Sequence, residues 1–282
     1  MSRPHSHRRT VSPASGQPAH SAQSQSSRIV LLTTLATTVG TAALLGKNAP
    51  GAVPNERVSG SQPGLRATQA PAWSNWPGCR QAATAGVARA DALWQSMATL
   101  NGVVINSVTA TGGSVTGPPL QPLIEQAMAG AGVPAAVAKA FAAQVSSAWS
   151  AWASSLRVTG APWYPAFAAV PSPVAPPTPN VPTPLMALGG NAGPLSAASL
   201  KASIRKALGT RADEPQASAA INEFADDFAA RFAQYRASAM VTNVLGTGPV
   251  PTFAPPYVPV GPVVNGHGNM TPGGFVGTWP AN

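Results

Sequence analysis

The apolar positions of the chain recur in helical steps, and they recur twice. Phe141, Val145, Trp149, Trp152 and Leu156 are spaced four, four, three and four apart, which lines them along one face of an α-helix. Phe224, Phe228, Phe232, Tyr235 and Ala239 repeat that spacing 83 residues later. A shorter stripe precedes each: Leu120, Ile124, Ala127 and Met128 match Leu200, Ile204, Ala207 and Leu208 with a shift of 80. Gly130 with Pro134, and Gly209 with Pro215, stand between the short and the long stripe. Glycine suits a helix end and proline the first turn of the next helix. Each copy therefore predicts a short helix, a turn and a long amphipathic helix. Val87, Ala90, Trp94 and Met97 form a further stripe on a helix from about Gln81 to Leu100. With the following "VVINSVTATGGSVTGPP" it reads as a degenerate earlier copy.

After each long stripe the pattern breaks into proline. Val158–Leu185 reads "VTGAPWYPAFAAVPSPVAPPTPNVPTPL" and Val244–Val264 reads "VLGTGPVPTFAPPYVPVGPVV". Prolines fix φ and remove backbone donors, which excludes helix and central strand and leaves polyproline II or irregular extended chain. An uncharged arm of this kind left in water would expose an apolar patch, and such patches mark contacts. Trp163, Tyr164 and Phe167 in the first arm, and Phe253 and Tyr257 in the second, are the candidate partner-binding residues. They are expected to lie against the chain's own long helices or against another protein.

These patterns predict a mainly α fold: two tandem helix-hairpin units, each followed by an extended Pro/Gly-rich arm, with a disordered N-terminal region. The expected divisions are a basic polar leader at 1–28, an apolar segment at 29–46 and a Pro/Gly/Ser linker at 47–80. A helix plus a Gly-rich strand-like stretch follows at 81–119, then repeat unit 1 at 120–194 and repeat unit 2 at 195–282. The facing aromatic stripes are expected to form the core, each ring burying roughly 150–250 Å². That core is modest, so self-association or a protein partner is expected.

Composition sharpens this picture. Gly (27) and Pro (31) are abundant in the 282 residues, while only 9% of residues are charged, so the chain is neither a dense globule nor a charge-driven disordered protein. The net charge of +9 raises nucleic acid as a partner, but the basic residues are scattered and not interleaved with aromatics, which argues against it. Cys79 is the only cysteine, which excludes an internal disulfide.

Ile29–Gly46 reads "IVLLTTLATTVGTAALLG", uncharged and preceded by a basic leader. Its length reaches the lower limit for a membrane span, for which about 20 residues are needed. Three readings stand: a membrane anchor, a signal peptide cut near Ala43, or a helix buried in an assembly. The first two place the protein in the cell envelope or outside the cell. The third suits a component of a particle assembled in the cytoplasm.

Chemistry is sparse. Of the histidines only His267, in "NGHGNM", lies beyond the leader, and it reads as an exposed loop residue. Glu223, Asp227 and Arg231 follow one another at helical steps and read as a surface ion pair. Lys201, Arg205, Lys206 and Arg211 form a modest basic helix face. No phosphate loop, zinc-protease motif or nucleophile elbow is present in the sequence. No cofactor, metal or small-molecule substrate is implied.

The stretches "PWYPAFAAVPSPVAPPTPNVPTPL" and "GTGPVPTFAPPYVPVGP" resemble small repeat-containing structural proteins of phage-tail-like or contractile injection particles. The resemblance covers the two repeat units and carries over no functional residue, and Ile29–Gly46 departs from it. The function expected is that of a non-enzymatic structural or assembly protein, anchored or exported, whose helical units and proline arms make protein–protein contacts. The alternative is a secreted or envelope enzyme without a recognisable motif.

Overall fold

The computed structural model describes residues 73–165, 172–251 and 262–280. The leader and Ile29–Gly46 lie outside these residues. In chain order the elements are α1 (Trp76–Met97), β1 (Thr99–Asn106), β2 (Thr109–Thr116), α2 (Gln121–Gly130) and α3 (Ala135–Ser155). Then come β3 (Val158–Pro162), β4 (Val174–Pro179), β5 (Thr183–Pro184), α4 (Ala197–Leu208) and α5 (Pro215–Ser238). The last four are β6 (Met240–Val241), β7 (Val244–Pro249), β8 (Gly266–Met270) and β9 (Phe275–Val276).

The fold is mixed α/β, which corrects the expectation of a mainly α protein. Among the described residues, five α-helices accompany a six-stranded antiparallel sheet, ordered β3-β2-β1-β8-β7-β4, and a three-stranded sheet, ordered β5-β6-β9. The segments expected to be polyproline arms supply four of these strands, β3, β4, β5 and β7. β4, "VAPPTP", shows how proline is accommodated. Its ladder with β7 runs Val174↔Pro249 and Ala175↔Gly248, then shifts to Thr178↔Gly246 and Pro179↔Leu245. Pro176 and Pro177 fall in that shift, where no ladder donor is needed, and β4 lies at the end of the sheet, where proline is tolerated. "VVINSVTATGGSVTGPP" covers most of the β1–β2 hairpin. Asn106 pairs with Thr109 across a two-residue turn in which Ser107 takes φ +58°.

The long helices α1, α3 and α5 end alike. Ala98, Leu156 and Ala239 follow them as buried, extended cap residues with ψ of 144°, 133° and 140°. The fourth residue before each cap is a buried ring: Trp94, Trp152 and Tyr235. α1 begins at Trp76, inside the stretch expected to be linker, with Asn75 accepting a hydrogen bond from the amide of Gly78 at the cap.

Residues that correspond between the repeats meet in the core. Phe141 touches Phe224, with ring centroids 5.6 Å apart, and Trp149 touches Phe232 at 5.9 Å. Trp94 touches its counterpart Trp152 at 6.0 Å. The strands follow the same rule. After each long helix comes a pair of strands: β1 and β2, β3 and β4, β7 and β8. β1 pairs with β8, β7 with β4 and β3 with β2. In every case the first strand of one unit pairs with the second strand of another. That is the connectivity of a three-unit ring, open only between β3 and β4.

Candidate interaction surface

The inner face of the large sheet decides where two of the candidate residues lie. Trp163 and Tyr164 follow β3, and both of their backbone amides donate to the carbonyl of Val108 at the β1–β2 turn. Both side chains are buried. The Tyr164 hydroxyl donates to the carbonyl of Val244, 3.1 Å away, and burial pushes its pKa well up. The ring occupies space that glycines leave open. A Cβ on Gly246 would come within 2.5 Å of Tyr164 Cε1, and one on Gly268 within 2.5 Å of the Tyr164 oxygen. Trp163 and Tyr164 are therefore parts of the chain's own strand core. The arm was expected against the chain's own long helices or against another protein; the Tyr164 ring lies instead on the strand glycines Gly246 and Gly268. Phe167, Phe253 and Tyr257 lie outside the described residues. The signal for this core was present in the sequence as glycine at alternate positions, Gly246 and Gly248, then Gly266 and Gly268. That spacing is the strand period with the inner side chain deleted.

The outer face has a different character. One row of side chains runs straight across five strands by direct cross-strand pairing. Thr159 on β3 faces Thr111 on β2, which faces Val104 on β1. Val104 in turn faces His267 on β8, which faces Thr247 on β7. Thr159, Thr111, Val104 and His267 are exposed and Thr247 is half-buried. His267, expected in a loop, is thus an outward strand residue. Ser114, Asn101, Thr116 and Asn269, all exposed, and the half-buried Thr99 flank this row, and Asn269 accepts a hydrogen bond from the amide of Gly102 at 3.1 Å.

Charge is absent from this half of the molecule. No Asp, Glu, Lys or Arg lies in any of the nine strands. The charged side chains of the described residues sit on the helices and their immediate flanks, and three ion pairs form there. Arg231 Nε lies 2.8 Å from Asp227, Arg80 lies 3.4 Å from Glu223, and Lys201 Nζ lies 2.7 Å from Asp226. Arg205 donates to Ser218 and Asn222. The basic face of α4 thus ties that helix to α5. The exposed large apolar side chains are distributed the opposite way. Val104, Val174, Val181, Met186, Val264 and Val276 lie on strands or their connections, and Leu93 and Met97 lie on α1 close to its junction with β1.

Among the described residues, groups suited to catalysis do not converge. No three His, Cys, Asp or Glu gather as a metal site. The Cys79 thiol is buried, and burial pushes its pKa up to about 12. Asp91 is buried on α1, and burial raises its pKa to about 6 against the opposing hydrogen bonds of Tyr235 and Gln95. Gln95 donates to this carboxylate and accepts from the amide of Gly277 at 2.9 Å. A groove beside the start of α1 holds about 590 Å³ and is lined by residues such as Asn75, Arg80 and Glu223, and Asp91 does not line it. Asp91 is a polar tie within the core. Among the described residues no helix is long and apolar enough to cross a membrane.

Comparison with models of protein families, with curated proteins and with solved structures finds no match. The surface itself carries the functional argument.

Proposed function

We propose that the chain is a non-enzymatic structural or assembly protein that makes protein–protein contacts through its strand half. One observation carries this reading: the strands hold no charged side chain, yet they and their connections hold most of the exposed large apolar ones. Depletion of charge at the centre of a patch is the compositional mark of a protein interface. A polar rim of Thr, Asn and Ser around Val104 fits the same description. The proline arms extend the reading, because in the sequence Phe167 falls between β3 and β4, and Phe253 and Tyr257 fall between β7 and β8. Export or anchoring through Ile29–Gly46 belongs to the proposal, with a particle assembled in the cytoplasm as the alternative setting. The resemblance to phage-tail-like particles fits a module of this type.

The test is sedimentation of the protein from the cells that make it. The parent is expected to migrate as part of a larger species, and a Val104→Lys/Val174→Lys variant as the single chain with unchanged circular dichroism. A parent that already migrates as a single chain, with or without these changes, contradicts the proposal.

A further inference from the structure

We infer that Phe275–Pro280 form a strap over the helical core whose closure is governed by the ionisation of Asp91, tight in acid and loosened at neutral pH. The strap adds β9 to the small sheet and lays two rings on the helices. Phe275 touches Trp94 at 4.8 Å, and Trp279 touches Phe228 at 5.2 Å and Tyr235 at 5.6 Å. Between these rings Gly277 crosses the end of α5. A Cβ there would come within 2.6 Å of the Ala239 Cβ and 3.3 Å of the Tyr235 ring. At the end of the strap the carbonyl of Pro280 accepts from Arg231.

A buried polar relay latches this strap to α1. The amide of Gly277 donates to Gln95 Oε1 at 2.9 Å, and Gln95 Nε2 donates to Asp91, one turn earlier on the helix. From α5 the titratable group facing Asp91 is Tyr235. The nearby cations of α5 are engaged elsewhere: Arg231 with Asp227 and Pro280, Arg236 over the Phe232 ring. On the other helices packed around α1, Glu125 of α2 accepts from Gln121, and Lys139 of α3 is exposed, as is Arg89 of α1 itself. Asp91, Gln95 and Tyr235 are all buried, and the strap lies against the two side chains that Asp91 meets. A closed strap therefore keeps the carboxyl from water, which favours its protonated form. Burial raises the pKa of Asp91 to about 6, against the hydrogen bonds of Tyr235 and Gln95. Ionisation favours any local opening that rehydrates the carboxylate, so closure weakens as the pH rises through 6. If opening returns Asp91 to its ordinary 3.8, the strap opens about fiftyfold more often at pH 7 than at pH 4.

Hydrogen–deuterium exchange of the full chain at pH 4 and pH 7 tests this, with rates corrected for the ordinary pH dependence of amide exchange. The Gly277 amide is expected to show that fiftyfold ratio, and to exchange faster than the amide of Ile221 in α5 at both pH values. Asp91→Asn should bring the ratio at Gly277 close to one. Gln95→Ala, which cuts the latch without touching the carboxyl, should speed exchange at Gly277 at both pH values and serves if the asparagine variant unfolds. A parent ratio near one, an asparagine variant that keeps the full ratio, or an alanine variant with unchanged exchange overturns the inference. Exchange at Gly277 as slow as at Ile221 also overturns it, because the strap then opens only when the whole fold does.

Discussion

The helical half and the strand half are built by the same repeated unit, yet they fill their interiors with opposite residues. Large rings fill the space between the three long helices. Trp94, Trp149, Trp152, Phe228, Phe232 and Tyr235 are all buried, in edge-on or tilted contacts such as Trp152 on Phe232 at 4.8 Å. Six strands coiled into a nearly closed ring leave a narrow interior. There the inward positions of β7 and β8 are mostly glycine, against Tyr164 and Ile105. Outside, the contrast reverses. The helices present the charges to water, and the strands present an uncharged surface. Stability and contact are thereby assigned to different ends of one unit.

Breaking the ring core should have the largest effect. Trp152→Ala removes a fully buried ring and should cost about 3–5 kcal/mol, read by chemical denaturation. A variant as stable as the parent would mean that the aromatic stripes do not carry the fold.

The buried carboxylate of the helical half sharpens the contrast next. Asp91 binds its proton more tightly folded, at about 6, than its ordinary value of 3.8. Its contribution is therefore most favourable below pH 4 and is lost as the pH rises to 6, with no further change above. The swing is on the order of 2–3 kcal/mol. Asp91→Asn should flatten the pH dependence of the melting temperature between pH 4 and 7. An unaltered profile in that variant would show that Asp91 does not set it.

In the strand half, overpacking replaces cavity formation. Gly268→Ala places a methyl group where the Tyr164 oxygen lies and should cost about 1–3 kcal/mol. Tyr164→Phe should recover part of that loss in the double variant, although alone it forfeits the bond to Val244. Strict additivity in this cycle would contradict the close approach of ring and strand. The smallest effect belongs to the charged surface. Lys201→Ala breaks an exposed pair with Asp226 and should change stability by no more than about 0.5 kcal/mol.

The helical half was legible in the sequence because its period is written in large side chains. The steps from Phe141 to Leu156 and from Phe224 to Ala239 mark faces that are buried in the fold, and the equal spacing of the copies foreshadows the rings that meet. The strand half was harder to read because its inner positions carry no side chain to count. Gly246 and Gly268 look like breaker residues in a list of prolines. Only their alternation, and their fit to Tyr164, shows a strand interior. Pro176 and Pro177 hid β4 for a related reason: a register shift at a sheet edge tolerates residues that a regular ladder rejects. The outer row could not be seen in advance, since Thr159, Thr111, Val104, His267 and Thr247 become neighbours only through pairings between distant strands.

Photo-crosslinking in the producing cell tests the division of labour most directly. A photoreactive residue is placed at position 104 on β1 or at position 139 on α3, both exposed. The account expects covalent adducts to another protein chain from position 104 and none from position 139. Adducts from position 139 with none from position 104 would place the contact on the charged helices and contradict it.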